Sequence, residues 1–425
     1  MVYRQRILSA LLLSISLLAQ IALSQTSSLF IRHTVDSHPD RPAFVKVGDL
    51  DGDGRQEILV SMFAASPLSS GHLAMYRLEG EGFFNFKKTK LAGFNTRFPN
   101  DPAIEDVNSD GLKDVILPSG FLPCLFPLGS CGGITLLIQD ENGQFHSQII
   151  TQKQKRFYHH IAYVDWDNDG IKDIIAVGEE KNLLSDGSSK LHFFKGNQNS
   201  TPFTRRPKEI ANGLGSFPVV MDIDHDGSLE VLSSEYFGSK GSFSWVDKTP
   251  SGRYERYYID NAAGKAIQFS VVKNLFGRGQ NWGIGANHTN TNDDKNSAES
   301  AVYLYAFPDF KSYDFNPHAP WQRTKISEGI VSDKSGAIGK SGAPGVFATG
   351  DIDHDGDIDI VVSGDGDPRI FWLRQDGYKK FTTIVIDENM SQGGVDIGDI
   401  DGDGKMEVVA TSYGHNVVYV YAFKE

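Results

Sequence analysis

One nine-residue pattern, D-x-[DN]-x-D-G-x-x-[DE], occurs six times in this chain and governs what it can fold into. The copies begin at Asp49, Asp106, Asp165, Asp222, Asp351 and Asp399, and successive starts lie 57, 59, 57, 129 and 48 residues apart. Each copy leaves an apolar run and enters a second one, such as Ile58-Leu-Val60 or Val408-Val-Ala-Thr411. Self-similarity at such a period marks a repeat architecture, in which one unit cannot bury its apolar face alone. The gap of 129 residues has room for two units, and a decayed copy sits inside it at Val271–Trp282. That copy keeps the strand and a glycine but carries Asn274, Phe276, Arg278 and Trp282 at the acid positions. The chain therefore has seven repeats, six of them acidic.

The two ends point to a ring. The stretches from Gln25 to Asp49 and from Asp399 to the C-terminus together make one repeat length. Leu29-Phe-Ile-Arg-His-Thr-Val35 resembles Phe381–Ile386, the strand that precedes the last loop, and the final strand Val417–Phe423 has no partner after it. An N-terminal strand completing the last unit removes exposed sheet edges, whereas a linear solenoid needs caps that are absent here. Period-two patterning in Leu191–Lys195, Val302–Phe307 and Ile370–Leu373 argues for strands, and no long segment has a helical period. The expected fold is all-β: a seven-bladed β-propeller over residues 25–425, with the N-terminal strand closing the last blade.

The acidic loops have the chemistry of a calcium cage. Calcium takes six to eight oxygens in flexible geometry. Asp at positions 1, 3 and 5 of a tight turn puts three short carboxylates around one point, and Gly at position 6 permits the turn. The acids at positions 1, 3, 5 and 9 are Asp49, Asp51, Asp53 and Glu57 in repeat 1. Repeat 2 has Asp106, Asn108, Asp110 and Asp114, and repeat 3 has Asp165, Asp167, Asp169 and Asp173. Repeat 4 offers Asp222, Asp224, Asp226 and Glu230; repeat 6, Asp351, Asp353, Asp355 and Asp359; repeat 7, Asp399, Asp401, Asp403 and Glu407. An EF-hand would require Glu at position 12, where these loops have Val60, Leu117, Ala176, Ser233, Val362 and Ala410. Zinc would want His or Cys ligands, and magnesium prefers retained waters.

The repeat resembles the FG-GAP/VCBS type of integrin α-subunit propellers and many secreted bacterial proteins, and Gly342-Ala-Pro344 keeps part of that signature without a preceding Phe-Gly pair. The resemblance implies that position 7 (Arg55, Leu112, Ile171, Ser228, Asp357 and Lys405) lends a backbone carbonyl and that the acid at position 9 closes the cage. About six Ca²⁺ are expected, with a structural role. The net charge of −13 is then mostly that of the metal loops, which hold 23 carboxylates at positions 1, 3, 5 and 9. No basic run is present, so nucleic acid is not an expected partner.

Residues 1–24 read as a secretory signal peptide, with Arg4 and Arg6 before the apolar stretch Ile7–Leu23 and small residues Ala22 and Ser24 ahead of a cut at Gln25. No later segment is apolar enough to span a membrane, so a secreted, extracellular or periplasmic location is expected. In that setting Cys124 and Cys131 are expected to form a disulfide closing a short loop.

Counting back five or six residues from each loop start predicts the opposite channel entrance: polar, and including Asn100, Asp101, His159, His160 and Gln268. His288, in Asn287–Asp294, reads as an exposed loop residue, and the insertion 312–345 as a segment that overhangs the channel. The expected function is a binding module for an extracellular protein or glycan. The alternative is an enzyme, since calcium-bearing propellers similar to this one occur among polysaccharide lyases and sugar dehydratases. His159, His160 and Tyr158 would then be the proton-moving candidates. No nucleophile elbow, zinc-protease signature, P-loop or dinucleotide fingerprint is present.

Overall fold

The computed structural model describes residues 27–424 apart from 65–69, 81, 84, 92–95, 122–131, 183–184, 199–201, 238–241, 290–298 and 333–341. The signal segment and both cysteines lie outside the described residues.

Seven four-stranded antiparallel sheets form the blades of the propeller. Blade 1 runs from β2 (Pro42–Gly48) to β5 (Phe86–Lys90), and blade 2 from β6 (Ala103–Glu105) to β9 (Phe145–Gln154). Blade 3 runs from β10 (Ile161–Val164) to β13 (Lys208–Asn212), and blade 4 from β14 (Val219–Met221) to β17 (Tyr254–Asp260). Blade 5, built on the decayed repeat, runs from β18 (Ala266–Val272) to β21 (Gln322–Lys325), and blade 6 from β22 (Phe347–Gly350) to β25 (Lys380–Asp387). Blade 7 takes β26 (Val395–Gly398), β27 (Glu407–Ser412) and β28 (Val417–Phe423) from the C-terminus. Its outer strand is β1 (Phe30–Asp36), paired antiparallel with β28 from Phe30 opposite Phe423 onward. The ring is closed by the two ends of the chain, as the sequence predicts.

The second strands explain why the apolar runs after each acidic loop are continuous rather than alternating. Glu57–Met62, Asp114–Ser119 and Glu407–Ser412 are buried at every position, because each blade is packed on both faces by its neighbours. Outer strands face solvent, as in Phe86–Lys90. The core divides into seven clusters among the described residues, each spanning two adjacent blades. Trp372, for example, is fully buried against Phe30 and Phe423. Each blade is thus held by its neighbours, and stability depends on ring closure.

Blade 5 keeps the turn of its decayed loop without the charge. The Asn274 side-chain oxygen accepts the Gly279 N–H, the place taken in the acidic loops by the first Asp and its glycine. Arg278 lies over the Tyr378 ring, 4.1 Å from its centroid.

Candidate functional site

The six acidic loops share one geometry. The second oxygen of the position-1 acid accepts the N–H of the position-6 glycine at 2.9–3.2 Å in all six. The position-5 acid accepts the position-7 N–H at 2.7–2.9 Å. The position-9 acid is the buried first residue of the second strand and accepts the position-2 N–H at 2.8–3.3 Å. Position 6 is always a glycine with φ between 85° and 92°, a conformation that L side chains resist. Position 4 is left-handed as well, which accounts for its Gly52, Ser109, Asn168, His225, His354 and Gly402.

These hydrogen bonds fix the acids in the turn; in Asp114, Asp173 and Asp359 both carboxylate oxygens accept backbone N–H groups, whereas Glu230 accepts one and keeps its other oxygen open. Carboxylate oxygens converge within 4.8 Å of one another in five loops, for example on Asp222, Asp224 and Glu230. Oxygens that close can share one cation with bonds of about 2.3–2.6 Å. Glu230 Oε1, Asp351 Oδ1 and Asp353 Oδ1 are buried without a hydrogen-bond partner. Buried acceptors left open at the centre of an acidic turn fit a hard cation. Burial and the neighbouring loop acids push Glu230 and Glu407 up to about 8, and Asp359 to about 7. In the blade-2 loop, Asn108 instead donates to Asp110 at 2.8 Å.

At the other end of the channel lies a bowl of about 470 Å³. Ala43, Asn100, His159, Gly345 and Gly393, all six residues before a loop start, line it as the counting rule predicts. Gly345 stands there as a blade-start position, and residues 333–341 of the insertion 312–345, expected to overhang the channel, lie outside the described residues. The bowl is aromatic rather than polar: Phe44, Phe63, Phe98, Phe121, Phe217, Tyr236, Phe237 and Tyr413 supply its wall. Most of these rings were missed, although the sequence holds a signal for them. Phe63, Tyr236, His288, Asp365 and Tyr413 lie 14 residues after the first loop position, and Phe121 and Phe237 lie 15 after it. That offset carries the chain to the end of each second strand, at the mouth.

The predicted site residues divide between the bowl and the channel below it. His159 is buried, its Nδ1 2.6 Å from Glu179 and its ring stacked on Phe237. Asn100 donates to the carbonyls of Gly120 and Tyr158 at 2.9 and 2.7 Å, and its own carbonyl oxygen is buried without a partner. Deeper in the channel, His160 Nδ1 lies 2.7 Å from Asp101. Gln268 clasps both backbone polar groups of Phe347 and so ties blade 5 to blade 6. His288 corrects its expected exposure: it is buried, with Nδ1 2.9 Å from the Pro344 carbonyl and Nε2 3.3 Å from Asp365. Asn287 beside it is wholly buried in a strand and donates to two carbonyls. A wider cleft of about 630 Å³ sits on the acidic-loop face between His225 and Lys379.

Tyr158 is fully buried in the core between blades 2 and 3, its hydroxyl 3.0 Å from His192 Nδ1. Burial holds His192 down to about 4, below the ordinary value of 6.5. The neutral ring is thus favoured by folding, and its contribution is complete above about pH 6.5 and lost as the pH falls toward about 4. On the order of 3 kcal/mol is at stake. Thermal melts between pH 7 and 4 are expected to show a steeper loss for the native chain than for His192→Gln. Parallel curves would refute this assignment.

Comparison with known proteins follows from this geometry. A family model described as FG-GAP-like repeat matches residues 49–117 and 351–410, which contain four of the six acidic loops. The chain carries FG-GAP-like repeats. The chain is 29% identical over 195 residues to protein linkin of Caenorhabditis elegans, covering 44% of this chain and 30% of linkin. It is 40% identical over 75 residues to human cartilage acidic protein 1, covering 15% of this chain and 11% of that protein. The matched stretches thus span less than a third of either relative. A structure of virginiamycin B lyase from Staphylococcus aureus with quinupristin superposes with a TM-score of 0.50 at 10% identity, covering 93% of this chain and 99% of that one. That likeness is one of fold. No helix among the described residues is long and apolar enough to cross a membrane.

Proposed function

We propose that this chain is a secreted, calcium-stabilised propeller that recognises an extracellular protein or glycan at the aromatic mouth of its channel. In this reading residues 1–24 direct export, residues 25–425 form the mature propeller, and Cys124 and Cys131 close a loop after the second strand of blade 2. About six calcium ions hold the strand turns on the far face and take no part in recognition.

The observation that carries the reading is the bowl. Aromatic faces suit the C–H faces of sugars and the apolar side chains of a protein partner. The open acceptor on Asn100 asks for an N–H or O–H donor from the ligand. A calcium-loaded chain tested on glycan and extracellular-protein arrays is expected to bind a discrete set. Phe237→Asp should weaken that binding by at least about tenfold, as loss of a central aromatic anchor does, with little change in melting temperature. Binding that ignores this substitution would remove the bowl from the proposal.

Two imidazole–carboxylate pairs, His159–Glu179 and His288–Asp365, support a second reading as a sugar-active lyase or dehydratase. Turnover of a polysaccharide that His159→Gln abolishes, with binding retained, would move the protein to that class.

A further inference from the structure

The six loops look alike along the chain, but the strand beside each does not repeat. In every acidic blade one third-strand residue stands opposite the position-9 acid. Continuing the register of pairs such as Ile58–Tyr76 and Val231–Val246, these are Arg77, Ile138, Lys195, Asp247, Arg374 and Ala422. All six are partly buried.

Their charges differ in sign. Arg77 places its guanidinium 2.7 Å from Asp51 and 3.1 Å from Glu57, two of the blade-1 cage acids. Lys195 pairs with Asp167 and Asp169 of the blade-3 loop. Arg374 is held 2.9 Å from Asp376. In blade 4 the position carries a further carboxylate, Asp247, whose charge acts on Asp224, Asp226 and Glu230. There Glu230 is fully buried and its Oε1 is open, so the blade-4 cage has both an unpartnered ligand atom and an extra negative charge.

We propose that the residue opposite the closing acid ranks the calcium sites, with Asp247 making the blade-4 loop the tightest and Arg77 and Lys195 acting as tethered cations that calcium must displace. The inference rests on the calcium reading of the loops. Carboxylate count tunes calcium affinity, and a fifth acid adds attraction at short range. A tethered cation lowers affinity twice: it repels the incoming ion, and its own ion pairs are lost on displacement. It also neutralises the blade-1 and blade-3 turns when calcium is scarce. The blade-4 loop therefore fills first, and those of blades 1 and 3 fill after it.

Calorimetric titration of calcium into the chelator-stripped full chain tests this ranking. At least two affinity classes are expected, about tenfold or more apart. Asp247→Asn should weaken the tightest class by roughly tenfold. Trp166 occupies position 2 of the blade-3 loop, so terbium luminescence sensitised by it reads that site. The blade-3 signal is the part that Trp166→Phe removes, and Lys195→Met should tighten terbium in that part by roughly tenfold. Lys195 is partly exposed, so this second variant keeps the test open if Asp247→Asn fails to fold. Six equivalent sites, or an unchanged tightest class in Asp247→Asn together with unchanged terbium affinity in Lys195→Met, overturn the ranking. No calcium uptake by the native chain overturns the calcium reading beneath it.

Discussion

Stripping calcium from the full chain is expected to lower its melting temperature by about 20 °C. One site held at a hundredfold excess over its Kd stabilises the folded state by about 2.7 kcal/mol, so six contribute roughly 16 kcal/mol. Unfolding entropy near 2.1 cal/mol/K per residue gives a propeller of about 400 residues roughly 0.8 kcal/mol per degree, which converts that loss to about 20 °C. The structural cause is local. Buried position-9 acids such as Glu230, Asp359 and Glu407 face other loop carboxylates, and without a cation nothing balances that repulsion at the centre of the cage. Calorimetry with calcium and then with excess chelator, beside metal counting by mass spectrometry, measures both quantities. Fewer than three ions per chain, or an unmoved transition, would falsify the structural role of the loops.

Deleting residues 27–36 is expected to do comparable damage by a different route. The strand β1 does more than pair with β28: it clasps the blades on either side. Arg32 reaches Asp387 of blade 6 at 2.9 Å, while Asp36 accepts from Tyr76 and Lys88 of blade 1 at 2.7 and 2.8 Å. Phe30 is buried against Trp372 and Phe423. Loss of that one side chain costs about 3–5 kcal/mol by analogy with other buried Phe truncations. The deletion also frees the edge of Val417–Phe423, an apolar strand of high β-propensity, as a template for pairing with other chains. Size-exclusion chromatography should show oligomers, calorimetry a broad and lowered transition, and a peptide of residues 27–37 added in trans should restore part of both. A truncated chain that stays monomeric with a native transition would mean the ring closes without its N-terminal strand.

The geometry of the acidic loops was legible because all its determinants lie within nine residues. The side-chain oxygens, the backbone N–H groups that orient them and the two left-handed positions belong to one turn, so a linear pattern encodes the geometry nearly in full. The blade count and the ring closure were legible for a related reason. A repeat that cannot bury its faces alone must stack, and the unpaired last strand needs the N-terminal one.

The mouth of the channel was only half legible. Counting back from the loops found Asn100 and His159, which sit where every blade begins. It made the entrance polar because it omitted the residues that arrive 14 or 15 positions after each loop start, where the second strands end. Phe63, Phe121 and Phe237 meet there from three different blades, and His288, read as a loop residue, is buried beside Asp365.

What the sequence determined by itself is what one turn or one strand decides: the cages, the strands, the number of blades. The tertiary structure alone decided which side chains from separate blades share a space. Gln268 binds the backbone of Phe347, His159 faces Glu179, and Asp247 confronts the blade-4 cage where Arg77 confronts that of blade 1. Contacts within one turn are set by covalent geometry and short-range hydrogen bonds. Those across strands and blades depend on register and ring closure, which no local pattern contains.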